Sequence, residues 1–156
     1  MTRQPVLRIL LDSTYMLPIL GIEVEDVTDV LVVLRDLRRR RIAEFYYTPF
    51  NIMEMLGKIA KTRYDYKIVA TGLSLIEEEF RVTYPTTTGY MKALELRSRG
   101  FNDLIDLLLY TTSLTRDLLF LTRDYDLISY LRRLGEDTRS ILDEKSFLEQ
   151  YPSLLR

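Results

Sequence analysis

The sequence of 156 residues contains no cysteine and no histidine, and it has only 6 glycines and 5 prolines. The absence of cysteine excludes disulfides, thiolate zinc sites and cysteine nucleophiles. The absence of histidine excludes imidazole bases, and with them Ser-His-Asp triads, zincins and zinc deaminases. An enzyme of this composition is left with carboxylate, hydroxyl, lysine, arginine and tyrosine chemistry, and any metal it binds must be hard and oxygen-liganded.

An excess of charge of one sign is also missing, because 22 Lys and Arg face 23 Asp and Glu and leave a net charge of -1. A nucleic acid would therefore have to be held by a local basic patch. Hydrophobic residues at 47% and charged residues at 29% are typical of a globular protein. The length suits one such unit, so we predict a single domain over residues 1–156.

Long hydrophobic runs are absent, since no segment approaches the roughly 18 apolar residues that a membrane span requires. The first apolar stretch, Val6–Leu11, is interrupted by Arg8 and ends at Asp12. It lacks the small-residue cleavage site of a signal peptide. We therefore expect a cytoplasmic protein with no membrane partner.

Short apolar runs alternate with helical patterns along the chain. The runs predict strands at 6–11, 42–48, 118–122 and 140–142, with a brief extended piece at 81–84. Residues 12–14 can cap a helix that continues through residue 20. Apolar spacing and capping residues predict further helices at 26–37, 49–60, 67–80, 86–99, 103–113, 125–134 and from 143 onward. This alternation predicts an α/β fold whose parallel sheet is covered by helices on both faces.

Acidic residues stand where such a fold forms its sites, outside the carboxyl ends of strands. Asp12 follows the first strand directly, and Asp124 follows the 118–122 strand by two residues, so the two converge if those strands are neighbours. Glu54 lies in the helix after another strand. Asp106 lies three residues after Asp103 among leucines and isoleucine, where a carboxylate is costly unless something pairs with it.

Each acid also has an ordinary structural interpretation. Asp12 and Asp103 suit the N-caps of the helices that follow them, Glu54 alone suits a solvated position, and Asp124 or Asp126 alone suits a turn or a cap. Their joint placement is what favours a metal site. Converging carboxylates repel one another unless a divalent cation offsets their charge, and Mg²⁺ or Mn²⁺ fits an all-oxygen ligand set. Such an ion can also supply an attacking water for phosphodiester hydrolysis.

Four segments together resemble the PIN-domain family, and most of all the small VapC-type toxins: residues 11–14 (LDST), 47–54 (YTPFNIME), 106–113 (DLLLYTTS) and 121–126 (LTRDYD). The resemblance implies a three-layer α/β/α sandwich with a central parallel sheet that hydrolyses RNA with Mg²⁺ or Mn²⁺. By position it implies the catalytic acids Asp12, Glu54, Asp106 and Asp124. Of these, the metal ligands would be Asp12, Asp106 and Asp124.

The resemblance assigns supporting roles with less detail. The hydroxyls of Ser13 and Thr122 would orient a ligand or water. Asp103 and Asp126 are additional acids that a second metal or a supporting shell could use, but capping and solvation are the better explanations for them. The family pattern usually has Ala at the position of Ser113, which we interpret as a packing change.

Binding of RNA by a nearly neutral chain needs local cations. Arg123, next to Asp124, is the best candidate for a phosphate contact. The run Arg38–Arg41 should lie at the opposite end of the sheet, because it ends a helix that leads into a strand.

Two classes of function remain open. One is a metal-dependent ribonuclease, the toxin of a pair whose partner is a small antitoxin. The other is a non-catalytic PIN-like module that binds RNA or protein. The resemblance, together with apolar positions in 27–37 and 53–59 beyond the needs of one core face, also predicts a homodimer.

Overall fold

The computed structural model describes residues 6–151, whose central element is one sheet of five parallel strands. The strands are β1 Leu7–Leu11, β2 Ala43–Tyr47, β3 Arg81–Val82, β4 Leu119–Thr122 and β5 Ile141–Asp143. Their order across the sheet is β3-β2-β1-β4-β5, and every neighbouring pair is parallel. The predicted parallel sheet is confirmed, with the brief piece at 81–84 reduced to a two-residue edge strand.

Seven helices surround the sheet in the described part of the chain: α1 Thr28–Arg39, α2 Pro49–Ile59, α3 Tyr66–Glu79, α4 Thr87–Ser98, α5 Leu104–Arg116, α6 Tyr125–Arg133 and α7 Glu144–Gln150. Because successive strand residues point to opposite faces, Ile9 and Leu11 pack in one core with α1, α3 and α7, while Leu10 packs in another with α4, α5 and α6. The result is the predicted three-layer α/β/α sandwich.

The segment after β1 differs from the predicted helix. It forms two short 3-10 turns, Ser13–Tyr15 and Leu17–Leu20, which end at Gly21 with a φ of 84°. Pro18 lies in the second turn, and its missing N–H removes a donor that a continuous α-helix would use. Asp12 still caps the first turn, as its side chain accepts from the Thr14 amide at 3.4 Å.

The sheet order fixes where a site can form. The chain moves from β1 outward to β2 and β3 and then returns to the other side of β1 for β4, so strand order reverses between β1 and β4. These strands pair with Leu11 opposite Leu121, and the Asp12 amide donates to the Leu121 carbonyl at 3.1 Å. Asp12 and Asp124 are therefore brought to one edge, at the switch point where ligands bind in open α/β sheets.

Two surface features also have defined positions. The run Arg38–Arg41 lies at the end of α1 and leads into β2, at the amino end of the sheet, with Arg38 paired to Glu79 and Arg40 to Asp36. None of the helices among the described residues has the length and apolar character of a membrane span.

Candidate active site

A hydroxyl joins the first and last acids of the site. Asp12 is only 7% exposed at the end of β1, and its Oδ2 accepts from Thr122 Oγ1 at 2.8 Å. The same hydroxyl oxygen accepts from the Asp124 amide at 3.0 Å. Thr122 is fully buried, so its hydroxyl faces the protein interior and holds Asp12 and Asp124 in place from that side.

Two acids are both helix caps and members of the cluster. Asp124 caps α6 by accepting from the Leu127 amide at 3.1 Å. Asp103 caps α5 by accepting from the Asp106 amide at 3.2 Å. The sequence left capping and a role in the acidic site as alternatives for both residues. The two roles are compatible, because a carboxylate has two oxygens and capping uses only one of them.

Packing of α2 against α5 completes the group. Carboxylate oxygens of Glu54, Asp103 and Asp106 lie within 4.8 Å of one another. The Asp106 carboxyl is also within hydrogen-bonding reach of Asp124. Asp106 is thus the shared member of two groups, and the structure brings together all four predicted catalytic acids with Asp103. Asp126 lies at the margin, exposed in the first turn of α6.

Burial and mutual repulsion raise the pKa values of two of these acids. The pKa of Asp12 is raised to about 6, by burial first and also by the charges of Glu54 and Asp124, while hydrogen bonds from Thr122 and the Thr14 amide oppose the rise. The pKa of Asp106 is raised as well, by burial first, then by the hydrogen bond with Asp124 and the neighbouring carboxylates. Without a cation, Asp12 and Asp106 therefore hold their protons to higher pH than ordinary carboxyl groups do.

The donor set fits a hard divalent cation. Every candidate ligand is a carboxylate oxygen, and the chain contains no histidine or cysteine that would favour a softer metal. Adding two positive charges would offset the repulsion that raises these pKa values. The residues present therefore suit Mg²⁺ or Mn²⁺.

Asn51 links the end of β1 to the start of α2 beneath the acids, and the sequence did not predict this role. It is fully buried, and its Nδ2 donates to the Leu11 carbonyl at 3.2 Å and to Ser13 Oγ at 3.0 Å. Its Oδ1 accepts from the amide and hydroxyl of Thr48, the N-cap of α2. Ser13 thus serves to join β1 to α2. The available signal was the Thr-x-x-Asn capping box directly after a strand.

Arg123, between β4 and α6, directs its side chain to contacts with other segments of the protein. Its guanidinium pairs with Glu144 at 2.8 Å and donates to the carbonyls of Glu25 and Asp26. Glu144 also accepts from the buried Tyr15 hydroxyl at 3.1 Å. These contacts tie α7 and the segment before α1 to the end of β4, and they occupy the side chain expected to bind phosphate.

A cleft of about 500 Å³ opens beside the acids between α6 and the loop that precedes α5. Asp106, Asp124 and Asp126 line it, together with Phe101 and Arg133. Arg133, like Asn51, was not among the sequence-predicted residues. Its spacing of seven residues from Asp126, which places both on one face of α6, was the available signal.

Comparison with known proteins agrees with this architecture. Residues 9–133 match the PIN domain family, so the chain belongs to that family, as the four sequence segments predicted. The comparison with curated protein sequences found no match.

Solved structures with the same fold share little sequence with this chain. A chain of VapBC2 from Rickettsia felis, bound to a DNA fragment from its promoter, aligns with a TM-score of 0.60 at 10% identity, covering 88% of this chain and 98% of that one. VapBC-1 from nontypeable Haemophilus influenzae gives 0.59 at 12% identity with the same coverage. FitAcB from Neisseria gonorrhoeae gives 0.53 at 16% identity over 80% of this chain and 93% of that chain. These likenesses show a shared fold.

Proposed function

We propose that the protein is a metal-dependent ribonuclease that hydrolyses RNA phosphodiester bonds. The observation that carries this proposal is the group of carboxylates at the switch point of a PIN domain, in which burial and neighbouring carboxylates raise the pKa values of Asp12 and Asp106. A binding surface without catalysis has no use for buried acids that repel one another and the phosphates of RNA. The buried acids therefore favour a nuclease over a non-catalytic binding module.

Asp12, Asp106 and Asp124 would hold the cation, with Glu54 and Asp103 able to contribute further oxygens through their contacts with Asp106. When bound, Mg²⁺ or Mn²⁺ supplies an activated water and stabilises charge on the phosphodiester. Thr122 keeps Asp12 and Asp124 in place. Because Asp124 and Asp103 remain fixed as caps, the ligand oxygens are directed toward the site before any ion arrives.

The cellular role we propose is that of a VapC-type toxin, with a small antitoxin as its partner in the cytoplasm. The support is the fold shared with chains of VapBC and FitAcB over more than nine-tenths of their length. A gene for a short DNA-binding protein directly upstream would support this role. Co-purification of its product with this chain as a defined complex would test it.

Cleavage of a defined single-stranded RNA should require Mg²⁺ or Mn²⁺ and stop in EDTA. The products should carry 5′-phosphate and 3′-hydroxyl ends, because water rather than the ribose 2′-hydroxyl attacks the phosphate. The ends can be assigned by ligation and by phosphatase sensitivity. Products with 2′,3′-cyclic phosphate, or cleavage that persists in EDTA, would refute this mechanism.

We also propose that the protein is a homodimer, although the structure changes the argument for it. The apolar positions of α1 are largely used by its own core, where Val30, Val33 and Leu37 are fully buried. On α2, by contrast, Met53 is 58% exposed and Leu56 is 44% exposed. Light scattering should show a dimer at micromolar concentration, and Met53→Gln/Leu56→Gln should shift it toward monomer. A wild-type monomer would contradict the proposal.

A further inference from the structure

The cleft beside the acids has a wall of aromatic side chains. Phe101 and Tyr130 lie with ring centroids 4.9 Å apart at an interplanar angle of 40°, and both are partly exposed to the cleft. The Tyr130 hydroxyl donates to the Leu96 carbonyl at 3.0 Å, which fixes that ring. A fixed aromatic surface beside solvent suits the stacking of an unpaired base.

The charges in the cleft are separated along α6. Asp126 lies in the first turn near the carboxylates, and Arg133 lies seven residues later, about 10 Å along the helix axis. Arg133 is exposed and has no ion-pair partner among residues 6–151, although four carboxylates line the same cleft. It is also the only cationic side chain that lines the cleft in that range. A phosphate away from the acids would therefore meet its positive charge there.

We propose, building on the proposed ribonuclease function, that this cleft binds the nucleotide adjacent to the cleaved phosphate of a single-stranded RNA. Arg133 binds the neighbouring phosphate, and the base stacks against Phe101. Asn102 and Ser129, which also line the cleft, offer hydrogen-bonding groups to the base edge. A base that is paired within a duplex cannot stack on Phe101, so the site prefers single strands to duplexes.

Binding of a short labelled RNA, followed by fluorescence anisotropy in Ca²⁺ with intactness checked on a denaturing gel, tests this proposal. Arg133→Gln should weaken single-strand binding about tenfold, the loss expected for one charge-assisted phosphate contact. It should also lower the slope of log affinity against log salt by about 0.7, a change that a purely structural role would not produce. Arg133→Lys should restore most of that slope.

Arg132→Gln is the matched control, because Arg132 is the exposed neighbour on α6 and does not line the cleft. It should bind RNA nearly as wild type does. Phe101→Leu, which keeps an apolar side chain but removes the ring, should weaken single-strand binding about tenfold and leave the weaker duplex binding unchanged. Melting temperatures of all variants would establish that they are folded.

The outcomes separate this inference from the proposed function. Equal affinities of Arg133→Gln and Arg132→Gln, or equal losses of Phe101→Leu on single strands and duplexes, would overturn the inference even if wild type cleaves RNA. Binding that depends on Arg133 and Phe101, without cleavage in any divalent cation, would support the inference and refute the nuclease.

Discussion

In EDTA, Asp12→Asn should melt at the same temperature as the wild-type protein or higher. The pKa of Asp12 is about 6 in the folded protein against 3.8 for the unfolded chain, so ionising this carboxyl costs the folded state up to about 3 kcal/mol at neutral pH. An asparagine amide carries no charge and can still accept from Thr122 with its oxygen. The substitution therefore removes first the cost of burying a charge and then the repulsion from Glu54 and Asp124, while keeping the main hydrogen bond.

The sign of the pH dependence follows from the raised pKa. Between about pH 4 and pH 6 the folded protein keeps a proton on Asp12 that the unfolded chain releases, so the stability from this group falls as the pH rises through that range. The melting advantage of Asp12→Asn in EDTA should accordingly grow from pH 4 to pH 7. A melting advantage that shrinks from pH 4 to pH 7 would contradict a raised pKa of Asp12 in the folded protein.

Addition of metal should reverse the order of the two proteins. Mg²⁺ or Mn²⁺ binds the folded state and should stabilise wild type by about 2.7 kcal/mol at 100 times Kd, and Asp12→Asn by much less. Asp65→Asn is the matched control, because Asp65 is an exposed N-cap of α3 that accepts from the amides of Lys67 and Ile68. It should respond to metal as wild type does. Equal metal-induced shifts in Asp12→Asn and wild type would remove Asp12 from the metal site.

Asp124→Asn should lose RNA cleavage by at least about a hundredfold, because it removes a charge from a proposed metal ligand close to Asp106. Its cap on α6 can survive, since an asparagine oxygen can still accept from the Leu127 amide. The loss of activity should therefore come without unfolding. Initial cleavage rates in Mn²⁺, together with melting curves, measure both effects.

Asp126→Asn is the control for that loss. It makes the same change two residues later in the same helix turn, at an exposed position on the margin of the site. It should retain nearly all cleavage activity. If both variants lose activity equally, Asp126 is a full member of the site; if neither does, the proposed metal site is wrong.

The sequence predicted the parts of the site that depend on strand order. Asp12 and Asp124 follow short apolar runs that suit buried parallel strands, and the carboxyl ends of such strands meet at one edge. The place of Asp103 depended on how closely α2 packs on α5, which no local pattern states. The sequence predicted a phosphate contact for Arg123 and could not show that its side chain pairs with Glu144, because that pairing depends on where α7 packs.

Three helices that contribute acids, α2, α5 and α6, all begin at the same edge of the sheet. Their amino termini carry partial positive charge, which stabilises the carboxylates from the protein side. Asp103 and Asp124 each accept a hydrogen bond from a backbone amide, which restricts the rotation of both carboxylates. Ion exchange at the proposed metal site should thus proceed without rebuilding the pocket, at a rate set by the dehydration of the incoming cation.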